Sequence, residues 1–491
     1  MEAHLPVLLI VVPLLAAPLC VLLRHRTLTW ILALLAAWTV LGMSVVVLLR
    51  VLDTGFISYA LGGWAAPWGI ELRIDVVNAY VLVLVALIGA TVLLYAPASI
   101  AAEIPREQHY LFYTAYLLSF TGLLGITATG DAFNLFVFLE ISSISSYALI
   151  SLGRDRRALM ASYQYLIMGT IGATFILIGV GLLYMMTGTL NMADLAVRLG
   201  PVLHTRTALV AFAFLGVGMS LKLALFPLHA WLPNAYCYAP SVVTAFLAAT
   251  ATKVSIYVFL RFVFTIFGAD FAFAQMHLQT IIVPLALIAI FITSSVAIFQ
   301  TNIKRMLAYS SLAQIGYIML GIGLVSETGL TAAIVHLFNH ALMKGALFLA
   351  LGGVALRLGS VELEDMRGLG KRMPATSFAF VLGGLSLIGV PLTVGFISKW
   401  YLVLAALEQG WWPLAALVLL GSLLAFIYIW RVVEVLYFQP PPTDAPRNEA
   451  PLSMQIPMWL LLAAVVYFGA SASLTAGIAR KAAILLLGGA L

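Results

Sequence analysis

Six charged side chains of this chain, Glu140, Lys222, Lys253, Lys344, Lys399 and Arg431, stand inside apolar runs where charge is costly. Glu140 lies in the middle of DAFNLFVFLEISSISSYALI, residues 131–150, which reads as a helix in lipid. At about nine residues from Asp131 it is roughly 13 Å deep in an apolar layer of ~30 Å. A carboxylate at that depth costs on the order of 3 kcal/mol. Lysines that merely snorkel sit near helix ends, and Lys222 and Lys253 do not. An acid and several amines that can hold or release a proton inside hydrocarbon are the chemistry of an ion pathway.

Each position has a functional and a structural reading. Helical spacing puts Ser143 and Tyr147 on the face of Glu140, amid further serines that let a helix or water come close. Glu140 and Lys222 make a pair in which moving the carboxylate away would free the lysine proton; the alternative is a static ion pair. His229 follows Lys222 by seven residues, on the same face by helical spacing, with Pro227 between. Lys253, with Thr250 and Tyr257 on its face, would be the next station, or else would snorkel to an interface. In HLFNHALMKGALF, His336, His340 and Lys344 form one stripe at i, i+4 and i+8. Histidine suits a proton shuttle, and the alternatives are a packed histidine pair or a metal or haem site. HLFNH lacks the glutamate of HExxH, and no carboxylate or cysteine is near on that helix, so no metal or cofactor is assigned. Lys399, after Pro391 and Gly395 and toward the outer end of its helix, suits an exit station or a snorkelling lysine. Arg431 and Glu434, three apart, are expected to pair with each other.

The elements that must position these groups are membrane helices. The chain has 491 residues, 63% hydrophobic and 9% charged, with a mean hydropathy of +1.09. Soluble domains carry about 25% charged residues, so this is an all-α polytopic membrane protein. The net charge of +6 is mild and fits loop charges in a bilayer rather than a nucleic-acid partner. Cys20 and Cys237 sit in or beside apolar helices and suggest neither a disulfide framework nor a clustered metal site. The first helix follows only Glu2 and His4 as polar residues, so it is expected to be a retained span rather than a cleaved signal.

Apolar runs predict about fourteen helices, at roughly 5–23, 29–50, 75–97, 110–130, 132–152, 160–186, 206–231, 240–264, 279–300, 306–325, 329–356, 375–407, 412–438 and 455–476. The Pro-rich stretch 439–454 reads as a linker. Lysine and arginine set the orientation. GRDRR, NIKR and the linker's Arg447 belong to inner loops, whereas Arg261 and Arg206 belong to outer segments. Both termini are then extracytoplasmic in a bacterial cytoplasmic membrane. FLGVGMSLKLALFPLHAWLP and GGLSLIGVPLTVGFISKWYL, five predicted helices apart, each combine glycines, an internal proline and one lysine. Two five-helix units separated in this way must be inverted relative to each other, with broken helices near the transport site. The expected organisation is 1–109 for helices one to three, 110–264 and 279–438 for the two repeats, and 439–491 for the linker and last helix.

NLFVFLE, GMSLKLALFPLHAWLPNAYCYAPS, IKRMLAYSSLAQIGYI and HLFNHALMKGALFL resemble the proton-translocating antiporter-like subunits. That superfamily includes the D-type subunit of the Mrp cation/proton antiporters and the membrane-arm subunits of respiratory complex I and membrane-bound hydrogenases. The resemblance spans roughly 75–440. It implies a fourteen-helix fold with two inverted repeats, and a relay of Glu140, Lys222, Lys253, His336 and Lys399, with His229, His340, Lys344, Tyr147 and Ser143 as secondary candidates. The family has lysine or glutamate at this place depending on the subunit, and Lys399 resembles the D-type Mrp subunit and the smallest complex I member more than the middle one. Asn234 stands where the family commonly has Asp, in a loop expected to be cytoplasmic. Extra carboxy-terminal helices mark the A-type Mrp subunit and the largest complex I subunit, neither of which this chain is expected to be. The resemblance implies a transporter subunit of a sodium or potassium/proton antiporter, with other hydrophobic antiporter subunits, protons and a monovalent cation as partners. It leaves open a proton-pumping subunit of a redox-driven complex, which would make it part of a translocase, or a stand-alone transporter.

Overall fold

The computed structural model describes residues 4–441 and 448–489; Glu2 and Arg447 lie outside them. Helices α1 (Leu5–Leu23) and α2 (Arg26–Thr54) precede an antiparallel hairpin of β1 (Phe56–Ala60) and β2 (Glu71–Asp75). Then come α3 (Val76–Glu103), α4 (His109–Ala128), α5 (Ala132–Ser151), α6 (Arg157–Thr187) and the short α7 (Met192–Leu199). The next crossing is interrupted, as α8 (Arg206–Leu223) and α9 (Trp231–Tyr238). After α10 (Ser241–Leu260), α11 (Leu278–Ile298), α12 (Ile303–Gly323) and α13 (Glu327–Leu358), the four-residue α14 (Leu369–Arg372) leads to a second interrupted crossing, α15 (Pro374–Ile388) and α16 (Val394–Glu408). α17 (Trp412–Tyr437), α18 (Leu452–Ala470) and α19 (Ser473–Leu486) complete the chain.

Among the described residues, thirteen helices are long and apolar enough to span a membrane. α15 and α16, each too short alone, together supply the fourteenth that the hydropathy pattern predicts. The sequence reading has no counterpart for the hairpin, α7 or α19. ELRID alternates as strands do, FISYA is rich in strand-forming residues, and the two flank a turn with three glycines and a proline, a signal that the run of long apolar helices overshadows.

The helices form an inner and an outer set. Of the central window of α12, 94% is buried, against 33% for α2. α3, α4, α10 and α13 are also largely enclosed, and α13 packs on α3, α10, α12, α15, α16, α18 and α19. Helix starts are pinned by side chains. Asp75 and Asn78 form a capping box on α3, Asp131 accepts from Asn134 N at 2.7 Å to cap α5, and Asn302 caps α12 at 3.1 Å. Such caps satisfy amides that hydrocarbon cannot. One arrangement occurs twice. Asp131 bridges Asn191, ahead of α5 and α7, and Asn302 bridges Glu362, ahead of α12 and the turn at 363–366. α6 and α13 stop alike, at Gly188 and Gly359, both with φ +70°, the left-handed geometry that favours glycine at a helix end.

Two basic residues assigned to loops are enclosed instead. Arg261 is 5% exposed and pairs with Asp75 at 2.5 Å, because α10 continues as a π-helical turn that carries it back into the protein. Lys304 is also buried and donates to Ala239 O at 2.9 Å. Arg431 does not pair with Glu434 among the described residues. Its guanidinium instead donates to the carbonyls of Ile298 and Gln300, at the end of α11, where helix-terminal carbonyls lack partners.

Candidate functional site

α8 reaches the site by close packing on α6. A Cβ added to Gly218 would lie 2.7 Å from Gly172 O, so only small residues allow this approach. The helix then ends at Leu223, and Ala224 takes a left-handed conformation. Lys222 thus stands in the last turn, where unpaired carbonyls give a partial negative charge. Its side chain is 4% exposed, and its Nζ lies 3.2 Å from Glu140 Oε1. It also donates to Ser143 Oγ at 2.9 Å. Glu140 and Ser143, three residues apart on α5, therefore grip one ammonium. The Glu140 side chain keeps 21% of its surface exposed.

Beside this pair is a cavity of about 20 Å³ whose polar wall is Ser142, Ser143, Tyr165, Lys222 and Ser255. That space suits about one water molecule with several polar partners. Lys253 belongs to a different face of α10. It is fully buried and donates to Ala248 O and, at 3.4 Å, to Thr252 Oγ1. The hydroxyls of Thr250 and Tyr257, expected beside it, turn elsewhere, to Phe246 O and to Thr127 O.

α13 carries the histidine stripe. The His336 and His340 rings lie 6.0 Å apart and nearly parallel, at 10°. His336 Nδ1 meets Ser398 Oγ at 2.7 Å, and its Nε2 meets Gln314 Oε1 at 2.9 Å. Both nitrogens are engaged, so a metal would have to displace a partner. The two ring nitrogens of His340 have no partner among the described residues. Lys344, fully buried, donates to Leu307 O at 2.8 Å and to Ser310 Oγ.

Lys399 departs from its expected setting near a helix end. Because the crossing is broken at residues 389–393, Lys399 lies within α16. Its Nζ turns back to Leu387 O and Ile388 O, each at 2.9 Å, and to Ser422 Oγ at 2.9 Å. It also stands 4.8 Å from the Tyr317 ring centroid, and Tyr317 in turn faces His336 at 6.0 Å. His229 is a correction of another kind. The break between it and Lys222 removes the helical spacing that put them on one face, and its ring stacks on Phe226 at 5.1 Å. The Tyr147 hydroxyl is buried and rests against Gly169, where a Cβ would come within 1.9 Å.

Sequence reasoning missed Gln314, Ser398, Ser422 and Tyr317, which hold the second half of the site. Gln314 carried a signal, a long amide inside an apolar helix; the others look like ordinary small or aromatic packing residues.

Residues 129–425, which include both broken crossings and every group from Glu140 to Lys399, match the family described as NADH:quinone oxidoreductase/Mrp antiporter, TM. The chain belongs to that family. It is 44% identical over 485 residues to NADH-quinone oxidoreductase subunit N of Desulforudis audaxviator, covering 96% of each chain. It is 32% identical over 471 residues to the D-type subunit of the Na(+)/H(+) antiporter of Alkalihalophilus pseudofirmus, covering 96% of this chain and 94% of the relative. Among solved structures, a chain of the Mrp complex from Dietzia sp. DQ12-45-1b is 27% identical, with a TM-score of 0.91 over 99% of this chain and 97% of the other. The protein is thus an antiporter-like, multi-pass subunit of the Mrp and complex I family.

Proposed function

We propose that this subunit translocates protons along a buried axis of Glu140, Lys222, Lys253, His340, His336 and Lys399. The observation that carries the reading is the Lys222–Glu140 contact of 3.2 Å, at the end of a broken helix and beside a water-sized polar cavity. Separating the carboxylate from the amine would release the Lys222 proton. The resulting change of field would act on the next amine, at roughly 2–3 kcal/mol for charges 5–7 Å apart at an effective dielectric near 20. The recurring bridges at Asp131–Asn191 and Asn302–Glu362 support the two-repeat organisation, 110–264 and 279–438. Both termini are assigned to the extracytoplasmic side, in a bacterial cytoplasmic membrane.

The energy source has two readings. Similarity to a D-type antiporter subunit over nearly the whole chain supports a role in a multisubunit sodium or potassium/proton antiporter, with other hydrophobic subunits as partners. The 44% identity to a quinone oxidoreductase subunit N favours a proton-pumping role in a redox-driven complex. The relay proposed is the same in both. In the assembled complex, Lys222→Ala should abolish proton translocation; unchanged translocation with intact assembly would mean that the ion pair is a scaffold. Measuring whether a cation gradient or electron transfer drives the wild-type complex separates the two energy sources. Full antiport by this chain alone in liposomes would point instead to a stand-alone transporter.

A further inference from the structure

Where α8 ends, the backbone is cut loose inside the membrane, and one side chain catches it. Trp231, the first residue of α9, donates its indole N–H to Leu221 O at 3.0 Å, and this bond is buried. Leu221 is the residue before Lys222, so its carbonyl belongs to the turn that carries the amine. The indole is itself fixed. The Tyr165 ring from α6 stacks on it with centroids 4.0 Å apart and an interplanar angle of 4°. Tyr165 then meets Tyr147 of α5 edge-on at 4.7 Å, and it also lines the small cavity with Lys222 and Ser143. One aromatic row therefore runs from the break in α8 to the helix that carries Glu140.

We propose that Trp231 is a positioning residue for proton transfer at Lys222, with Tyr165 as its platform. The indole N–H is a second donor to Leu221 O, which the missing helical turn leaves with only the capping Ala224 N–H at 3.3 Å, and so holds the last turn of α8 in the register that sets the amine between Glu140 and Ser143. Because the row also contacts α5, a movement that parts Glu140 from Lys222 must slide or tilt the Tyr165–Trp231 stack. The row therefore governs how readily the pair opens. Two isolated contacts would not couple the break to the carboxylate helix; the continuous stack does.

This inference rests on the relay reading, and its test keeps the two apart. Trp231→Phe retains the ring that stacks but removes the N–H. Tyr165→Phe retains the platform, whereas Tyr165→Leu removes it. In assembled complex in membrane vesicles, Trp231→Phe and Tyr165→Leu should each lower proton translocation about tenfold, the scale of one buried hydrogen bond, and displace its pH profile. Tyr165→Phe, which keeps the stacking platform and removes only the hydroxyl, should leave amide exchange at 221–230 as in wild type. Hydrogen–deuterium exchange of the amides at 221–230 should rise in Trp231→Phe, and should do so equally in a Lys222→Ala background that does not transport. Unchanged exchange together with an unchanged profile would overturn the proposal, as would the same fractional loss at every pH, which marks a merely structural residue. If Trp231→Phe does not assemble, Tyr165→Leu decides by the same criteria. Normal transport by Lys222→Ala would instead overturn the relay, and the exchange result would still stand or fall by itself.

Discussion

Glu140→Gln and Lys222→Arg, made separately, test whether the ion pair works by moving a proton or by holding helices. Glutamine keeps the shape of the side chain and an oxygen to accept from Lys222 Nζ, while Ser143 Oγ remains at 2.9 Å. What is lost is the negative charge 3.2 Å from an amine whose side chain is 4% exposed. Two unit charges at about 4 Å interact at roughly 4 kcal/mol when the effective dielectric is near 20. Removing one member of a buried pair typically costs about 3–5 kcal/mol. The 21% exposure of Glu140 argues for the lower end. A loss of about 3 kcal/mol is roughly two powers of ten in rate. Translocation by Glu140→Gln, read as dye-reported acidification of inverted vesicles and normalised to assembled complex, should fall by that much. Lys222→Arg preserves the positive charge but cannot release its proton near neutral pH. A scaffold would tolerate it, and a relay would stop. Translocation by an assembled Lys222→Arg complex within about twofold of wild type, a barrier change under ~0.5 kcal/mol, would refute the reasoning.

Further outcomes follow from the same geometry. Gln314→Leu strips His336 Nε2 of its acceptor at 2.9 Å and should slow translocation by about tenfold, the scale of one buried hydrogen bond, with normal assembly on native gels. Gly395→Ala would put a Cβ 1.7 Å from Ser386 O, a backbone atom that cannot swing away; the α15–α16 break should fail to form, and the subunit should be lost from the complex on immunoblots. Asp131, in the connection before α5, has its carboxyl pushed above the usual range by burial, against the opposing effect of its bonds to the Asn134 and Phe133 amides. A carboxyl raised in the folded state lowers stability above its unfolded pKa, and the deficit disappears as pH falls through the folded value. Asp131→Asn, an equally good cap, should therefore raise the thermal midpoint at pH 7 and match wild type in acid; a lower midpoint at pH 7 would count against that account.

The sequence made the charges legible because hydrocarbon makes them conspicuous. Glu140, Lys222 and Lys253 stand out from any apolar run, and the glycine–proline pattern around Pro227 and Pro391 points to two interrupted helices. What surrounds each charge was less readable. Lys399 reads as near a helix end because the apolar run sets the limits of one crossing, 375–407, but not where within it the chain breaks; the break at 389–393 lets its amine return to Leu387 O. His229 seemed to face Lys222 for the same reason. Arg431 has Glu434 close in sequence, but the pull of unpaired carbonyls at the end of α11 depends on tertiary packing. Trp231 and Tyr165 could not be told from ordinary core aromatics, since nothing in their spacing shows that one bonds a backbone carbonyl and the other supports it.

The amines of Lys253, Lys344 and Lys399 share one trait: among the described residues their hydrogen-bond partners are carbonyl and hydroxyl oxygens, none a carboxylate. Dipoles can orient toward a cation, but they cannot neutralise it. With Glu140 as the one acid in the proposed axis, each further proton loaded between Lys253 and Lys399 is an uncompensated charge in a medium that screens it poorly. In the proposed relay the row would then behave like a capacitor of small capacity: it would have to hand one proton on before another enters, so its throughput would be counted in single charges, and the count would be set by how few acids line the axis.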